Sequence, residues 1–238
     1  MVERIAKGSL WLLGVIILLI VIKMPVQLEE EALYHWSLPL SGKRIVIDPG
    51  HGGPDGGAMA GGVSEKAIAL AVSKQLRDYL QQAGAIVYMT RETDTDLASE
   101  HTKGLSNRKT EDIRNRIKFI EEQEAHFFVS IHLNSVPSAK WYGAQTFYHP
   151  QFDESKHLAK MIQSEIVRNM ENTTRQALAM NHIYMLKHAP IPSALVEIGF
   201  LSNPKERSQL TDTNYQRKMA NSIYLGILRY VTEQAEPE

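Results

Sequence analysis

Four side chains of this chain could do chemistry together: His51, Glu65, His132 and Glu197. His51 stands in Ile45-Val46-Ile47-Asp48-Pro49-Gly50-His51-Gly52-Gly53. A β-branched run enters a Pro/Gly turn whose glycines leave the imidazole uncrowded and let the backbone approach a bound species. His132 ends Phe127-Phe128-Val129-Ser130-Ile131-His132, and Glu197 lies within Ala194-Leu195-Val196-Glu197-Ile198-Gly199-Phe200. Glu65 follows His51 by 14 residues and precedes His132 by 67. Two imidazoles and a carboxylate suit zinc and leave a fourth position for water, the pattern of catalytic rather than structural zinc sites. Water held in this way has a pKa of roughly 7 and is a nucleophile at neutral pH. Glu197 has Leu195, Val196, Ile198 and Phe200 as neighbours, and such an apolar setting disfavours the carboxylate. A group tuned in this way can take a proton from water and return it to a leaving amine.

Each residue also has a plainer reading. His51 can be a turn residue, and His132 a satisfied histidine at a strand end. Glu65 can be a first-turn acid favoured by the helix dipole. Glu197 can pair with a surface base. Asn134 can bond a ligand or substrate, or hold its own turn. Long separations give little specificity, so these residues can act together only if the fold places them at one edge.

The elements that must bring these residues together alternate. Strands are expected at 44–48, 85–91, 127–132, 143–148, 183–186 and 193–198. Helices are expected at 64–82, 111–124, 155–170 and 215–232, with a polar stretch over 92–110. In the first helix Ala67, Leu70, Ala71, Leu76 and Leu80 form the apolar side, Ser64 is a candidate N-cap and Gly84 a stop. Alternating strands and helices predict an α/β fold: a single three-layer domain with a mostly parallel sheet flanked by helices. Sites in such sheets lie beyond the carboxyl ends of the strands, where His51 and His132 fall.

Composition narrows the partners. The 238 residues are 43% hydrophobic and carry a net charge of −1, so a sizeable core is available and no basic field draws nucleic acid. Cysteine is absent, which excludes disulfides and thiolate zinc sites. At the N-terminus Arg4 and Lys7 precede 15 uncharged residues, Gly8 to Ile22. This reads as an uncleaved signal anchor or a cleaved signal peptide over 1–23, with the remainder exported. Residues 24–43 read as a linker, 44–232 as the catalytic domain and 233–238 as a tail.

The motifs Asp-Pro-Gly-His-Gly-Gly at 48–53, Ser64-Glu65-Lys66, Ser130-Ile131-His132-Leu133-Asn134 and Val196-Glu197-Ile198-Gly199-Phe200-Leu201-Ser202-Asn203 resemble the zinc-dependent N-acetylmuramoyl-L-alanine amidases. The likeness runs over about 44–232. It implies that His51, Glu65 and His132 hold Zn2+, that Glu197 is catalytic and that Arg116 matches a recurrent arginine, here assigned with Asn134 to substrate binding. Trp36–Gly42, Thr93–Leu97, Trp141–Gln145 and Glu171–Arg175 resemble the branch of the family that acts in endospore formation. That likeness implies action on peptidoglycan to form muramic-δ-lactam in spore cortex, and hence a role in germination. It also implies a functional link to a muramic acid deacetylase, and it leaves room for an activating lipoprotein partner. A non-catalytic peptidoglycan-binding scaffold and a zinc peptidase acting on stem peptides stand as alternatives.

Overall fold

A computed structural model describes residues 11–20 and 38–233. The chain divides into two units, Met1–Leu38 and Pro39–Glu238. In the first, residues 11–20 are helical with exposed side chains. Among the described residues no helix is long and apolar enough to cross a membrane. The rest of the expected hydrophobic segment, linker residues 24–37 and tail residues 234–238 lie outside the described residues.

The second unit begins earlier than the expected boundary at 44. Leu40 is fully buried and its N–H donates to the Ala83 carbonyl at 2.9 Å, so the end of the expected linker is part of the core.

The central sheet has the order β4-β1-β5-β8-β6-β7: β4 Ile86–Met89, β1 Arg44–Pro49, β5 Phe127–Asn134, β8 Ser193–Phe200, β6 Gln145–Tyr148 and β7 Leu178–Ala179. All neighbours are parallel except β6 and β8. A small antiparallel hairpin joins β2 Met59–Ala60 to β3 Val63–Ser64.

The period-2 alternation of a strand sorts the side chains onto two faces. Ile45, Ile47, Phe127, Val129, Ile131, Ala194, Val196 and Ile198 join one apolar cluster. That cluster also takes residues of α1 Glu65–Gln82, α3 Asp153–Met170 and α6 Thr213–Thr232. Val46, Phe128 and Leu195 join the other cluster, with Ile117 and Ile120 of α2 Leu105–Glu122 and Met185 and Leu186 of α4 Tyr184–His188. The result is three layers, α1/α3/α6, sheet and α2/α4. A further helix, α5 Pro204–Leu210, follows β8 and is capped by the Asn203 side chain.

The alternation also places the polar chemistry. Asp48 is two residues beyond Val46, His132 four beyond Phe128, and Glu197 two beyond Leu195. All three therefore fall on the α2/α4 side.

Several expectations need correction. Residues 183–186, read as a strand, open α4 instead. The second helix starts at Leu105, inside the stretch read as polar loop. The buried side of α1 is Ile68, Ala69, Val72, Leu76 and Leu80, whereas Ala67 is exposed. Ser64 occupies the N-cap position without a side-chain capping bond.

Candidate active site

β1 ends at Pro49, and Gly50 bonds through its N–H to the Ile131 carbonyl at 2.9 Å, so the loop stays stitched to β5. Gly50 is required there, because a Cβ would lie 2.4 Å from the His132 ring. His51 adopts φ 59, a left-handed conformation uncommon outside glycine. Such backbone persists where the surroundings over-determine it. Here Arg91 donates to the carbonyls of Pro49 (3.0 Å) and Gly50 (2.8 Å). Arg116 donates to those of Pro49 (2.8 Å) and His51 (2.6 Å). The carbonyls of three consecutive residues are thus held by two guanidinium groups, one from the loop after β4 and one from α2.

Arg116 is anchored in turn. It reaches the Asp48 carboxylate at 2.7 Å and that of Asp112 at 3.0 Å, with all three side chains buried. Asp48 also accepts from Thr90 at 2.7 Å and Ser130 at 2.6 Å. Burial alone would raise the Asp48 pKa, but Arg116, Ser130 and Thr90 outweigh it and hold the group down at about 2. Burial holds the Asp112 carboxyl above its ordinary value, against the opposing pull of Arg116.

Glu65 arrives from the other side of the loop. The β2–β3 hairpin turns at Gly61 and Gly62, both with positive φ as a tight hairpin requires, and β3 runs straight into α1 with Glu65 as its first residue. Glu65 Oε2 accepts from the Ala58 N–H at 2.8 Å, and Oε1 accepts from the Leu133 N–H at 2.9 Å. Oε1 also lies 2.9 Å from His132 Nδ1 and 3.2 Å from His51 Nε2. A Cβ on Gly57 would sit 2.6 Å from both Glu65 Oε2 and His51 Cδ2, so this glycine makes room for the cluster. His51 Nδ1 faces Asp55 Oδ2 at 2.8 Å, a contact that would hold a proton on Nδ1 and turn the Nε2 lone pair toward a metal ion. Burial opposes ionisation of Glu65, but bonds and charge from His132 and His51 hold its pKa well below the carboxylate range. The same contact raises the His132 pKa against the effect of its burial.

One donor atom each from His51, Glu65 and His132 lies within 4.8 Å of the others, as a metal site requires. This set matches the donors that zinc prefers, and Asp55 supplies the carboxylate–histidine contact that orients a ligand imidazole. Glu197 sits mid-strand in β8, not at its end, in register with His132 across β5 and with Gln145 across β6. Its Oε2 is buried and has no hydrogen-bond partner among the described residues. Burial, helped by the Glu65 charge and opposed by His132 and His51, pushes its pKa up to about 7. A strongly perturbed carboxyl beside a histidine pair marks a functional candidate.

Asn134 ends β5 after a register shift, and its carbonyl accepts from Leu201 N–H at 2.9 Å. Arg116, assigned to substrate binding from the resemblance, lines the site cavity with its guanidinium engaged by Asp48, Asp112 and the loop carbonyls. A cavity of about 160 Å³ opens over the site, with His51, His132, Lys109, Ile113, Tyr184 and Met185 among its walls. Sequence reasoning did not single out Asp48, Asp55, Arg91 or Asp112. Asp55, four residues after His51, and Asp112, four before Arg116, had a signal in their spacing, whereas Asp48 and Arg91 meet their partners only in three dimensions.

Residues 45–229 match the N-acetylmuramoyl-L-alanine amidase family. A germination-specific N-acetylmuramoyl-L-alanine amidase of Bacillus subtilis (strain 168) is 54% identical over 231 residues, covering 97% of each chain. The CwlD amidase from Clostridioides difficile, solved in complex with the GerS lipoprotein, is similar at 43% identity and a TM-score of 0.79. The match covers 81% of this chain and all of that one. The amidase AmiC2 of Nostoc punctiforme is similar at 32% identity and a TM-score of 0.69, covering 81% of this chain and 99% of that one. The cluster at the carboxyl edge, the three-layer sheet and these matches over most of the chain agree: the chain belongs to the N-acetylmuramoyl-L-alanine amidase family.

Proposed function

We propose that this protein is a zinc hydrolase of peptidoglycan that cleaves the amide between the lactyl group of N-acetylmuramic acid and the first L-alanine of the stem peptide. The observation that carries this reading is the convergence of His51, Glu65 and His132 within 4.8 Å, with the half-buried Glu197, its Oε2 unpartnered among the described residues, in register beside His132. His51, Glu65 and His132 would hold the zinc. When bound, zinc supplies an acidified water and an electrophile for the amide carbonyl.

The protein's own groups do the rest. Glu197, raised toward neutrality by burial, takes the proton from attacking water and delivers it to the alanine nitrogen as the C–N bond breaks. The products are a free lactyl carboxylate and an intact stem peptide. Asp55 fixes the tautomer of His51, and Arg116 and Arg91 act as positioning residues for the loop. Asn134, at the end of β5, contacts substrate.

Likeness to the germination-specific relative supports a role in muramic-δ-lactam formation, with a deacetylase acting on the same sugar. The lipoprotein bound to the C. difficile relative supports a lipoprotein partner here. Action on the wall requires export, for which residues 1–23 would serve as anchor or signal and 24–38 as a tether to the catalytic unit. The test is mass spectrometry of peptidoglycan treated with purified full chain and zinc. Released intact stem peptides and lactyl carboxylates support the amidase. Shortened stems mean a peptidase, and unchanged muropeptides a binding scaffold.

A further inference from the structure

Two stretches that the amide chemistry does not use meet in space. Trp141 and Tyr142 on one loop face Glu171–Arg175 on another, and together they line a cavity of about 580 Å³. A second cavity of about 420 Å³ adjoins it, sharing Tyr142, Glu171 and Asn172. Trp141 is 56% exposed and Tyr142 62%. Both rings border the cavity, so they stand in water where a ligand in it could stack on them.

The loop beneath them is rigidly held. Asn203 Nδ2 donates to the carbonyls of Ala139 (2.9 Å) and Trp141 (3.3 Å). Arg175 Nη1 donates to those of Tyr142 (2.6 Å) and Gly143 (2.7 Å). The Gly143 N–H donates to the buried Glu206 carboxylate at 2.9 Å. Gly143 has φ +89, and a Cβ there would lie 2.5 Å from the Asn172 carbonyl, so the two loops pack backbone against backbone. A fixed backbone carrying two rings of few rotatable bonds loses little entropy on binding.

The loop leads directly to the reacting edge. Gly143 and Ala144 precede Gln145, which is in register with Glu197. At ~3.3–3.6 Å per residue, Tyr142 lies within about 11 Å of Gln145 along the chain and Trp141 within about 14 Å. We propose that the larger cavity is a subsite for the glycan strand of the substrate, with Trp141 and Tyr142 as its stacking platform. The inference rests on the amidase reading above. A sugar ring offers polarised C–H bonds to the negative face of an aromatic ring. Its hydroxyl and acetamido groups suit the hydroxyls of Ser138, Thr173 and Thr174 and the ammonium of Lys140 that share the cavity wall. A bare amide-cleaving centre has no need of such a surface. An enzyme that selects muramic acids within a polymer does.

The test uses the full chain and peptide-free glycan strands of alternating N-acetylglucosamine and N-acetylmuramic acid, titrated by calorimetry. Wild type should bind, and Trp141→Ala and Tyr142→Ala should each weaken binding roughly tenfold or more, the loss expected of an aromatic anchor. Ile86→Ala, exposed on the far edge strand, should bind as wild type. Equal affinity of Trp141→Ala and wild type, or no binding by wild type, overturns the proposal. So does a Trp141→Ala chain that keeps its glycan affinity while losing a co-purifying lipoprotein. Hydrolysis of a monomeric muramoyl peptide by wild type reports separately on the amidase reading. Trp141-dependent glycan binding without that hydrolysis would retain the subsite and reject the enzyme.

Discussion

Arg116→Met should destabilise the domain far more than a surface change, because Arg116 is the hub beneath the His51 loop. The substitution keeps the aliphatic bulk and removes the donors to Asp48 (2.7 Å), Asp112 (3.0 Å), Pro49 O (2.8 Å) and His51 O (2.6 Å). Removing one partner of a buried ion pair costs about 3–5 kcal/mol, since the other charge is left uncompensated. That is a large part of a domain stability of about 5–15 kcal/mol. In a chain of this size 1 kcal/mol shifts Tm by about 2–4 °C, so Tm should fall on the order of 10 °C. The effect must also depend on pH. In wild type the Asp48 pKa is depressed to about 2 in the fold, so its contribution is present above the unfolded value of 3.8 and lost as pH falls toward 2. Over that window the depression contributes about 2 kcal/mol. Without Arg116, burial raises the Asp48 pKa, and protonation then relieves the penalty. The gap between variant and wild type should therefore narrow in acid. Asp48→Asn in the Arg116→Met background should recover part of the loss. Denaturant unfolding of chelator-treated protein at pH 7 and pH 4 measures all of this. A loss below about 1 kcal/mol at pH 7 against the expected 3–5, or a gap that ignores pH, would refute the buried-hub argument.

Other perturbations probe the loop and the core. Asp55→Asn removes the charge that orients His51 through Nδ1 and should lower zinc affinity about 10–100-fold, measured by competition with a chelator, with the fold intact. Gly50→Ala places a methyl 2.4 Å from the His132 ring and should abolish zinc binding while leaving the far-ultraviolet circular dichroism unchanged. Leu40→Ala should cost about 2–5 kcal/mol in denaturant unfolding, because this fully buried residue belongs to the core.

Much of the fold was legible where the pattern was strong. The runs entering β1, β5 and β8 are apolar on both faces, as central parallel strands must be, and Ile47, Ile131 and Val196 are all fully buried. Short apolar runs were ambiguous. Ile183-Tyr184-Met185-Leu186 has strand-like composition but forms the N-cap and first turn of α4, with Met185 and Leu186 in one cluster with Val46, Phe128 and Leu195. The first turns of α2 looked like loop, since Gly104 has no side chain to cap the helix and Arg108 faces Asp96, with bonds of 2.6 and 3.0 Å, instead of the core. The candidate site residues were visible because short motifs carry them: a Gly-rich turn for His51, a helix start for Glu65 and apolar strand runs for His132 and Glu197. Their support was not, because Asp48 and Arg116 are 68 residues apart and meet only when α2 is laid across β1.

The account's central claim is a division of labour: His51, Glu65 and His132 hold zinc, and Glu197 moves the proton. Zinc content measured beside the rate of muramoyl-alanine hydrolysis, in Glu197→Gln and Glu65→Gln, tests it most directly. Glu197→Gln should retain about one zinc per chain and lose on the order of 10²–10⁴-fold in rate, the contribution of a positioned acid–base group. Glu65→Gln should lose zinc and rate together. A Glu197→Gln protein that holds zinc and works at the wild-type rate would contradict the account.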